Sequence, residues 1–175
     1  MEAPESYYEP KETERLYTRV ITMDDAKLWE EWIMDPIATE HFPDSIKLSP
    51  EKSVDWIQRI LDRYSKKAFG FHAIHRKDSH ELVGQCGLLA QEVHGQPEIE
   101  VGYSFLRKHW GNGFAPEAAK MFMDLAFNEY EFDSIISLIS PGNLNSQRVA
   151  QKNGLVKTIP FDFHGIPVEV WRKDK

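Results

Sequence analysis

The chain has 175 residues, of which 41% are hydrophobic and 12% aromatic, and it carries a formal net charge of −7. This length and composition predict one globular domain over residues 1–175 rather than a disordered chain. The acidic balance repels phosphate backbones, which argues against nucleic acid as the main partner; it either mildly favours a cationic substrate or serves only solubility. No apolar run reaches the roughly 18–20 residues that span a bilayer, so no membrane partner is expected.

The first residues of the chain and its cysteine content indicate the cellular compartment of the protein. The opening segment, MEAPESYYEPKETE, is acidic and polar, and it lacks the basic and apolar blocks of a secretory signal. Cys86 is the only cysteine, so no internal disulfide can form, which fits a reducing compartment. We therefore expect a cytoplasmic protein, with residues 1–13 as a mobile or loosely docked N-terminal arm.

The apolar pattern then predicts an ordered series of strands and helices. A strand (RLYTRVI, from Arg15) is followed by two helices, one after Thr22 and one opened by Ser49-Pro50-Glu51. Three strands follow, then an amphipathic helix that starts near Gly113, a buried strand (SIISLIS), a short helix closed by Gly154 and a final hairpin. Hairpins on both sides of a central strand–helix–strand unit predict a mixed α/β sheet.

Two glycines stand where a strand meets the amphipathic helix, in the segment RKHWGNGFAPEAAKMFMDLAF. The first turn of a helix has N–H groups without helical partners, and glycine lets an anion approach them closely. Gly111 and Gly113 therefore suit a pyrophosphate, although on their own they favour a plain strand-to-helix turn. The segment lacks the Gly-Lys-Ser/Thr of a P-loop, and Pro116 replaces the third glycine of a dinucleotide fold.

The wider context favours the pyrophosphate. The run VGYSFLRKHWGNGFAPEAA, followed by NLNSQRVAQKNGLV, resembles the GNAT superfamily of acyl-CoA-dependent N-acetyltransferases, and most of all its branch of ribosomal-protein N-terminal acetyltransferases. That branch typically has W-G-x-G-x-A-x-E-A, then N-x-x-S and K-x-G, which here begin at Trp110, Asn143 and Lys152. The opening ETERLYTRVITMDDA is also similar, so the resemblance covers nearly the whole chain. Several motifs in one order are far more specific than any one alone.

The resemblance implies a GNAT fold of the α/β (α+β) class. This fold is a mixed, mostly antiparallel sheet of about six to seven strands, flanked by about four helices, with splayed central strands. Acetyl-CoA would be the cosubstrate, with its pantetheine arm in the splay and its pyrophosphate on the glycine loop. The implied contacts are the backbone of Ser104, Phe105 and Leu106, the loop formed by Arg107, His109, Trp110, Gly111, Asn112, Gly113, Phe114 and Ala115, and the side chains of Asn143 and Ser146.

Transfer to an amine also implies a base and a proton donor. Glu100 is the candidate base, because it shares a strand face with Ser104 near the expected thioester; the alternative is that Glu98 and Glu100 form a solvated face. Burial has to raise the pKa of Glu100 for this role. Many superfamily members use a tyrosine as acid where this chain has Ala150, so Ser146 or a water donates instead, or the thiolate leaves unprotonated.

The acceptor is expected to be a primary amine, perhaps a protein N-terminus. The alternatives are a small amine or antibiotic as acceptor, or a catalytically weak CoA-binding module. No metal is expected, since His72 and His75 face opposite ways on a strand, and a homodimer is left open. Four residues lie in loops that border the acceptor cleft in this family, and the alternative is plain exposure: His41, Phe42, His94 and His164.

Overall fold

The computed structural model describes residues 1–175, and helices lie on both faces of one seven-stranded sheet. The strands are β1 (Leu16–Val20), β2 (Phe71–Arg76), β3 (Leu82–Val93), β4 (Gln96–Phe105), β5 (Ser134–Ile139), β6 (Val156–Phe163) and β7 (Ile166–Asp174). The helices are α1 (Asp25–Ile33), α2 (Glu51–Ser65), α3 (Phe114–Asn128) and α4 (Leu144–Lys152). None of the four has the length and apolar content that a bilayer crossing requires. This series confirms the order of elements predicted from the sequence.

The sheet has the order β1-β2-β3-β4-β5-β7-β6, and it opens in the middle. Every neighbouring pair is antiparallel except β4 and β5, which are parallel. β3 stays paired with β4 from one end of β4 to the other. β4 and β5 share a single register pair, Glu100 with Ile136. The two central strands therefore diverge beyond Glu100, as the GNAT resemblance predicts.

Side-chain alternation on the sheet separates two apolar layers. On β2, Ile74 packs in the core cluster that contains α3, whereas its neighbour Ala73 packs in the cluster that contains α1 and α2. The apolar side of α3 is fully covered, and Ala118, Phe122 and Ala126 have no exposed surface. Truncating a buried phenylalanine such as Phe122 to alanine lowers the free energy of unfolding by about 3–5 kcal/mol. This packing anchors α3 on the sheet, and α3 in turn anchors the loop that precedes it.

The N-terminal segment, residues 1–13, was expected to be a mobile or loosely docked arm, and the structure docks it through a buried side chain. A 3₁₀ turn over Glu5–Tyr8 places Tyr7 in the core with 0% exposure. The Tyr7 hydroxyl donates to the Gly70 carbonyl and accepts from the Leu88 N–H at 2.9 Å. A buried aromatic ring contributes about 1.5–3 kcal/mol, and both hydroxyl bonds are satisfied, so the segment is held to the sheet.

Candidate functional site

A cleft of about 590 Å³ opens where β4 and β5 diverge. Its walls come from the end of β4, the loop and first turn of α3, the first part of α4 with its preceding loop, and the segment that follows α1. Most of the predicted site residues line this cleft: Ser104, Phe105, His109, Trp110, Gly111, Gly113, Phe114, Ala115, Asn143 and Ser146. The splay thus brings the two motif regions of the sequence together around one space.

The loop before α3 presents a row of N–H groups that no other backbone group uses. The amides of residues 111–115 make no backbone hydrogen bond, and side-chain bonds to this loop all end on carbonyls. Gly111 and Gly113 both have a φ of +79°, a left-handed conformation that favours glycine. Pro116 has no N–H, so the row ends there. Five consecutive donors at the start of a helix fit an anion such as pyrophosphate.

Three residues predicted to bind the cofactor do not line the cleft. Leu106 packs into the core cluster of α1 and α2 and is 3% exposed. Arg107 forms an ion pair with Asp35, with 2.5 Å between Nε and Oδ2. Asn112 turns its amide back onto two carbonyls of its own loop. The motif gives these positions in the sequence, but the bend of the chain after β4 decides which of their side chains line the cleft.

Glu100 lies at the point of divergence but is not among the residues that line the cleft. Its carboxylate accepts hydrogen bonds from Gln91 Nε2 at 2.6 Å and from the Leu138 N–H at 3.3 Å. Burial raises the pKa of the Glu100 carboxyl, and this outweighs the two hydrogen bonds that lower it. A raised pKa suits a carboxylate base, but its position requires a relay, such as a water, to reach a substrate.

Tyr103 bridges the gap between β4 and α4. Its hydroxyl donates to the Ser146 carbonyl at 3.0 Å, and the residue lines the cleft. Burial raises the pKa of the phenol, so the hydroxyl stays protonated and remains a donor at neutral pH. Asn143 caps α4, because its Oδ1 accepts from the N–H of Ser146 at 3.0 Å. Asn143 therefore has a structural task in addition to its predicted contact.

The sequence motifs account for only part of the cleft wall. His41 and Phe42 line it, whereas His94 and His164 lie in the β3–β4 and β6–β7 turns and do not. Two cations on α4, Arg148 and Lys152, also line the cleft, and their i, i+4 spacing on a predicted helix was the available signal. The other lining residues that the motifs missed are Trp32, Ile37, Ala38, Glu40, Pro116, Gly142, Leu144, Asn145 and Val149.

Comparison with known proteins agrees with this geometry. The acetyltransferase (GNAT) domain family matches residues 15–156. The uncharacterized protein YkkB of Bacillus subtilis is 37% identical over 147 residues, which cover 82% of this chain and 83% of YkkB. The uncharacterized N-acetyltransferase p20 of Bacillus licheniformis is 30% identical over 151 residues, with 83% and 84% covered. A solved structure of RimL, a ribosomal L7/L12 α-N-protein acetyltransferase in complex with coenzyme A, has a TM-score of 0.76 at 14% identity and covers 95% of this chain and 98% of its own. The chain belongs to the GNAT acetyltransferase family.

Proposed function

We propose that the protein transfers an acetyl group from acetyl-CoA to a primary amine. The observation that carries this proposal is the row of donor amides, residues 111–115, on a cleft between diverging strands. Converging N–H groups at a helix start favour a phosphate, and the edge of a strand without a neighbour favours an extended arm. Coenzyme A combines these two features, since its pyrophosphate is joined to the long pantetheine arm.

In this placement the pyrophosphate contacts the amides between Gly111 and Ala115, and the pantetheine arm runs beside Ser104 and Phe105. Arg148 and Lys152 line the same cleft and complement the negative phosphates. Their local charge offsets the repulsion that a net charge of −7 would exert on a polyanionic ligand. The thioester then lies toward the start of α4.

The proposed reaction is attack by a neutral amine on the thioester carbonyl. A C–N bond forms, the C–S bond breaks, and the proton lost by the amine is balanced by one taken up by the CoA thiolate. We assign the base to Glu100, because burial raises the pKa of its carboxyl. Glu100 is outside the cleft lining, so in this proposal it acts through a water. Ser146 is assigned as the proton donor, and a weak acid suffices because a thiol has a pKa of about 8.5.

The acceptor enters, in this proposal, along the wall formed by residues 37–42. That wall includes His41, Phe42 and one carboxylate, Glu40. A carboxylate beside the entrance attracts a cationic amine. RimL is an α-N-protein acetyltransferase, and we propose a protein α-amine as the first acceptor to test, with small amines and antibiotics as the second class.

The experiment is thiol release from acetyl-CoA in the presence of a mixed pool of peptides and small amines, followed by mass spectrometry of the pool. We expect release that depends on the pool and a gain of one acetyl group on an amine. Glu100→Gln should lower the rate at saturating acetyl-CoA by about a hundredfold or more. Glu92→Gln, an exposed position on β3, is the matched control and should be unchanged. Release that no amine accelerates contradicts amine transfer, and an unchanged Glu100→Gln removes Glu100 from the mechanism.

A further inference from the structure

Two side chains outside the cleft lining hold the carbonyl groups of the loop before α3. Arg15 donates from Nη1 to the Asn112 carbonyl at 2.9 Å. Asn112 donates from Nδ2 to the carbonyls of His109 and Trp110, at 3.0 and 3.3 Å. Arg15 and Asn112 are both absent from the cleft lining, so neither side chain is placed to contact a ligand there.

Two of these carbonyls share a peptide group with an amide of the donor row. The peptide unit is planar and trans, so the C=O of one residue and the N–H of the next point in opposite directions. A fixed Trp110 carbonyl therefore fixes the direction of the Gly111 N–H, and a fixed Asn112 carbonyl fixes that of the Gly113 N–H. Each carbonyl is held by a side chain that does not line the cleft, so the N–H at the other end of the same peptide group points away from that side chain.

This control matters because the amides belong to glycines. Glycine populates positive and negative φ about equally, so an unrestrained Gly111 or Gly113 would aim its amide in several directions. A ligand that bound only one of these directions would have to order the loop, and the entropy lost in that ordering would weaken its affinity. Holding the carbonyls in advance removes that cost from the binding step.

Arg15 is itself held in place from the first turn of α3. The Glu117 carboxylate accepts from Arg15 Nε at 2.7 Å, from the Arg15 N–H at 3.1 Å and from Thr13 Oγ1 at 2.6 Å. The guanidinium also lies over the Phe114 ring, 5.0 Å from its centroid. Since Glu117 neutralises the guanidinium, Arg15 acts on the loop through the direction of its hydrogen bond rather than through its charge.

We propose that Arg15 and Asn112 are positioning residues that preset the pyrophosphate cradle, by aiming the N–H groups of Gly113 and Gly111 into the cleft. This inference rests on the proposed use of acetyl-CoA. It assigns a task in ligand binding to two side chains that do not touch the ligand, and Arg15 lies 97 positions earlier in the chain than the carbonyl it holds.

Calorimetric titration of the protein with CoA tests the proposal by comparing the Kd of two arginine variants. Arg15→Met keeps an unbranched apolar side chain and removes the guanidinium donors. Arg76→Met is the matched control, because the Arg76 guanidinium lies 5.7 Å over the same Phe114 ring but bonds Asp78 instead of the loop. We expect Kd to rise about tenfold in Arg15→Met, the size of one hydrogen bond to a charged group, and to stay unchanged in Arg76→Met. Equal weakening of both variants would assign the effect to lost charge and overturn the proposal.

Asn112→Ala is a second variant, and its exposed position poses little risk to folding. The informative measurement compares the steady-state kinetics of each variant with two acetyl donors. With acetyl-CoA, Arg15→Met and Asn112→Ala should raise KM and leave kcat unchanged. With S-acetylpantetheine, which lacks the pyrophosphate, both variants should match the wild type in kcat/KM. Equal losses with both donors would show general damage to the site and contradict a role in the cradle.

The result for the wild type separates this inference from the proposed function. If the wild type binds CoA and both variants bind it with the wild-type Kd, the positioning proposal is overturned while the proposed function stands. If the wild type itself does not bind CoA, the proposed function fails and this inference falls with it.

Discussion

Tyr103 and Ser146 meet across the gap between β4 and α4, where the Tyr103 hydroxyl donates a 3.0 Å hydrogen bond to the Ser146 carbonyl. A second tie lies nearby, since the Ser137 hydroxyl donates to the Val101 carbonyl at 3.1 Å. β4 and β5 share only one register pair, so these side chains replace the missing ladder. The two sides of the cleft are therefore joined by side-chain hydrogen bonds.

Tyr103→Phe should lower the free energy of unfolding by about 1 kcal/mol, the net contribution of one hydrogen bond. The ring and its packing are retained, so the change reports the hydroxyl alone. Tyr17→Phe is the control, because the Tyr17 hydroxyl has only a 3.4 Å contact with His80 at an exposed position. Urea denaturation measures both variants, and equal stability of Tyr103→Phe and the wild type would mean that this bond does not support the gap.

Gly111→Ala and Gly95→Ala form a matched pair that tests the cradle. Both glycines have positive φ, +79° and +73°, and an added Cβ would meet no atom within 4 Å at either position. Each substitution should cost about 1–2 kcal/mol of stability through the left-handed backbone. Only Gly111 lines the cleft, so only Gly111→Ala should also weaken CoA binding in a calorimetric titration. Similar Kd values for the two variants would contradict the assignment of the loop.

The position of the proposed cradle was predictable because its signals are local. Glycines before an amphipathic helix, in the order of motifs that the family shows, indicate an anion site at Gly111 and Gly113. The identity of the free amides was not predictable, because it depends on the bend of the loop. Their direction depends on Arg15, which lies far away in the chain and shows no motif that connects it with the loop.

Glu100→Gln should stabilise the protein increasingly as the pH rises. Burial raises the folded-state pKa of the Glu100 carboxyl above its unfolded value, so the fold favours the protonated form. Stability from this neutral carboxyl is complete below the unfolded pKa and is lost as the pH rises through the folded pKa. Glutamine keeps the neutral form at every pH, so the unfolding free energy of Glu100→Gln should exceed that of the wild type by a margin that grows between the unfolded and the folded pKa and stays constant above the folded pKa.

The control for this pH dependence is Glu92→Gln, an exposed position on the same sheet. The difference in unfolding free energy between Glu92→Gln and the wild type should not change with pH. Denaturant midpoints measured at several pH values between acid and alkaline conditions compare the two variants with the wild type. A margin for Glu100→Gln that shrinks as the pH rises would contradict a buried carboxyl of raised pKa.

Strand alternation correctly placed Glu100 and Ser104 together, and the structure buries both. Alternation alone could not decide whether this face of β4 is buried or solvated, since charged residues are usually exposed on strands. The groups that hold the Glu100 carboxylate, Gln91 and Leu138, come from the two neighbouring strands. Only the sheet order and register bring them together, and no local pattern encodes either.

His72 should make the protein sensitive to acid. Burial lowers the pKa of the imidazole from 6.5 to about 3, and neither ring nitrogen has a hydrogen-bond partner. Stability from the neutral ring is complete above the unfolded pKa and is lost as the pH falls below it. Near pH 5 the loss is about 2 kcal/mol. His72→Leu should remove this loss and flatten the acid side of the stability profile.

The control for His72 is His94→Asn, an exposed position with positive φ that asparagine tolerates. It should keep the wild-type acid profile. Urea unfolding at a series of pH values from neutral to about pH 4.5 follows all three proteins. If His72→Leu loses stability with falling pH as steeply as the wild type, the acid sensitivity comes from other groups.

The N-terminal segment shows where composition misleads. Its acidic, polar residues predict a mobile or loosely docked arm, but Tyr7 buries its ring completely. The hydroxyl partners of Tyr7, Gly70 and Leu88, lie 63 and 81 positions away in the chain. A single buried aromatic ring with distant partners leaves no periodic signal in the sequence.

The central claim is that the cleft binds acetyl-CoA, and a thermal-shift series tests it most directly. A ligand that binds only the folded state stabilises it by about 2.7 kcal/mol at a concentration 100 times its Kd. We predict that acetyl-CoA and CoA both raise the melting temperature of the wild type. NAD, which also carries a pyrophosphate but no pantetheine arm, should leave the melting temperature unchanged. If neither CoA species raises the melting temperature, the assignment of the cleft is wrong.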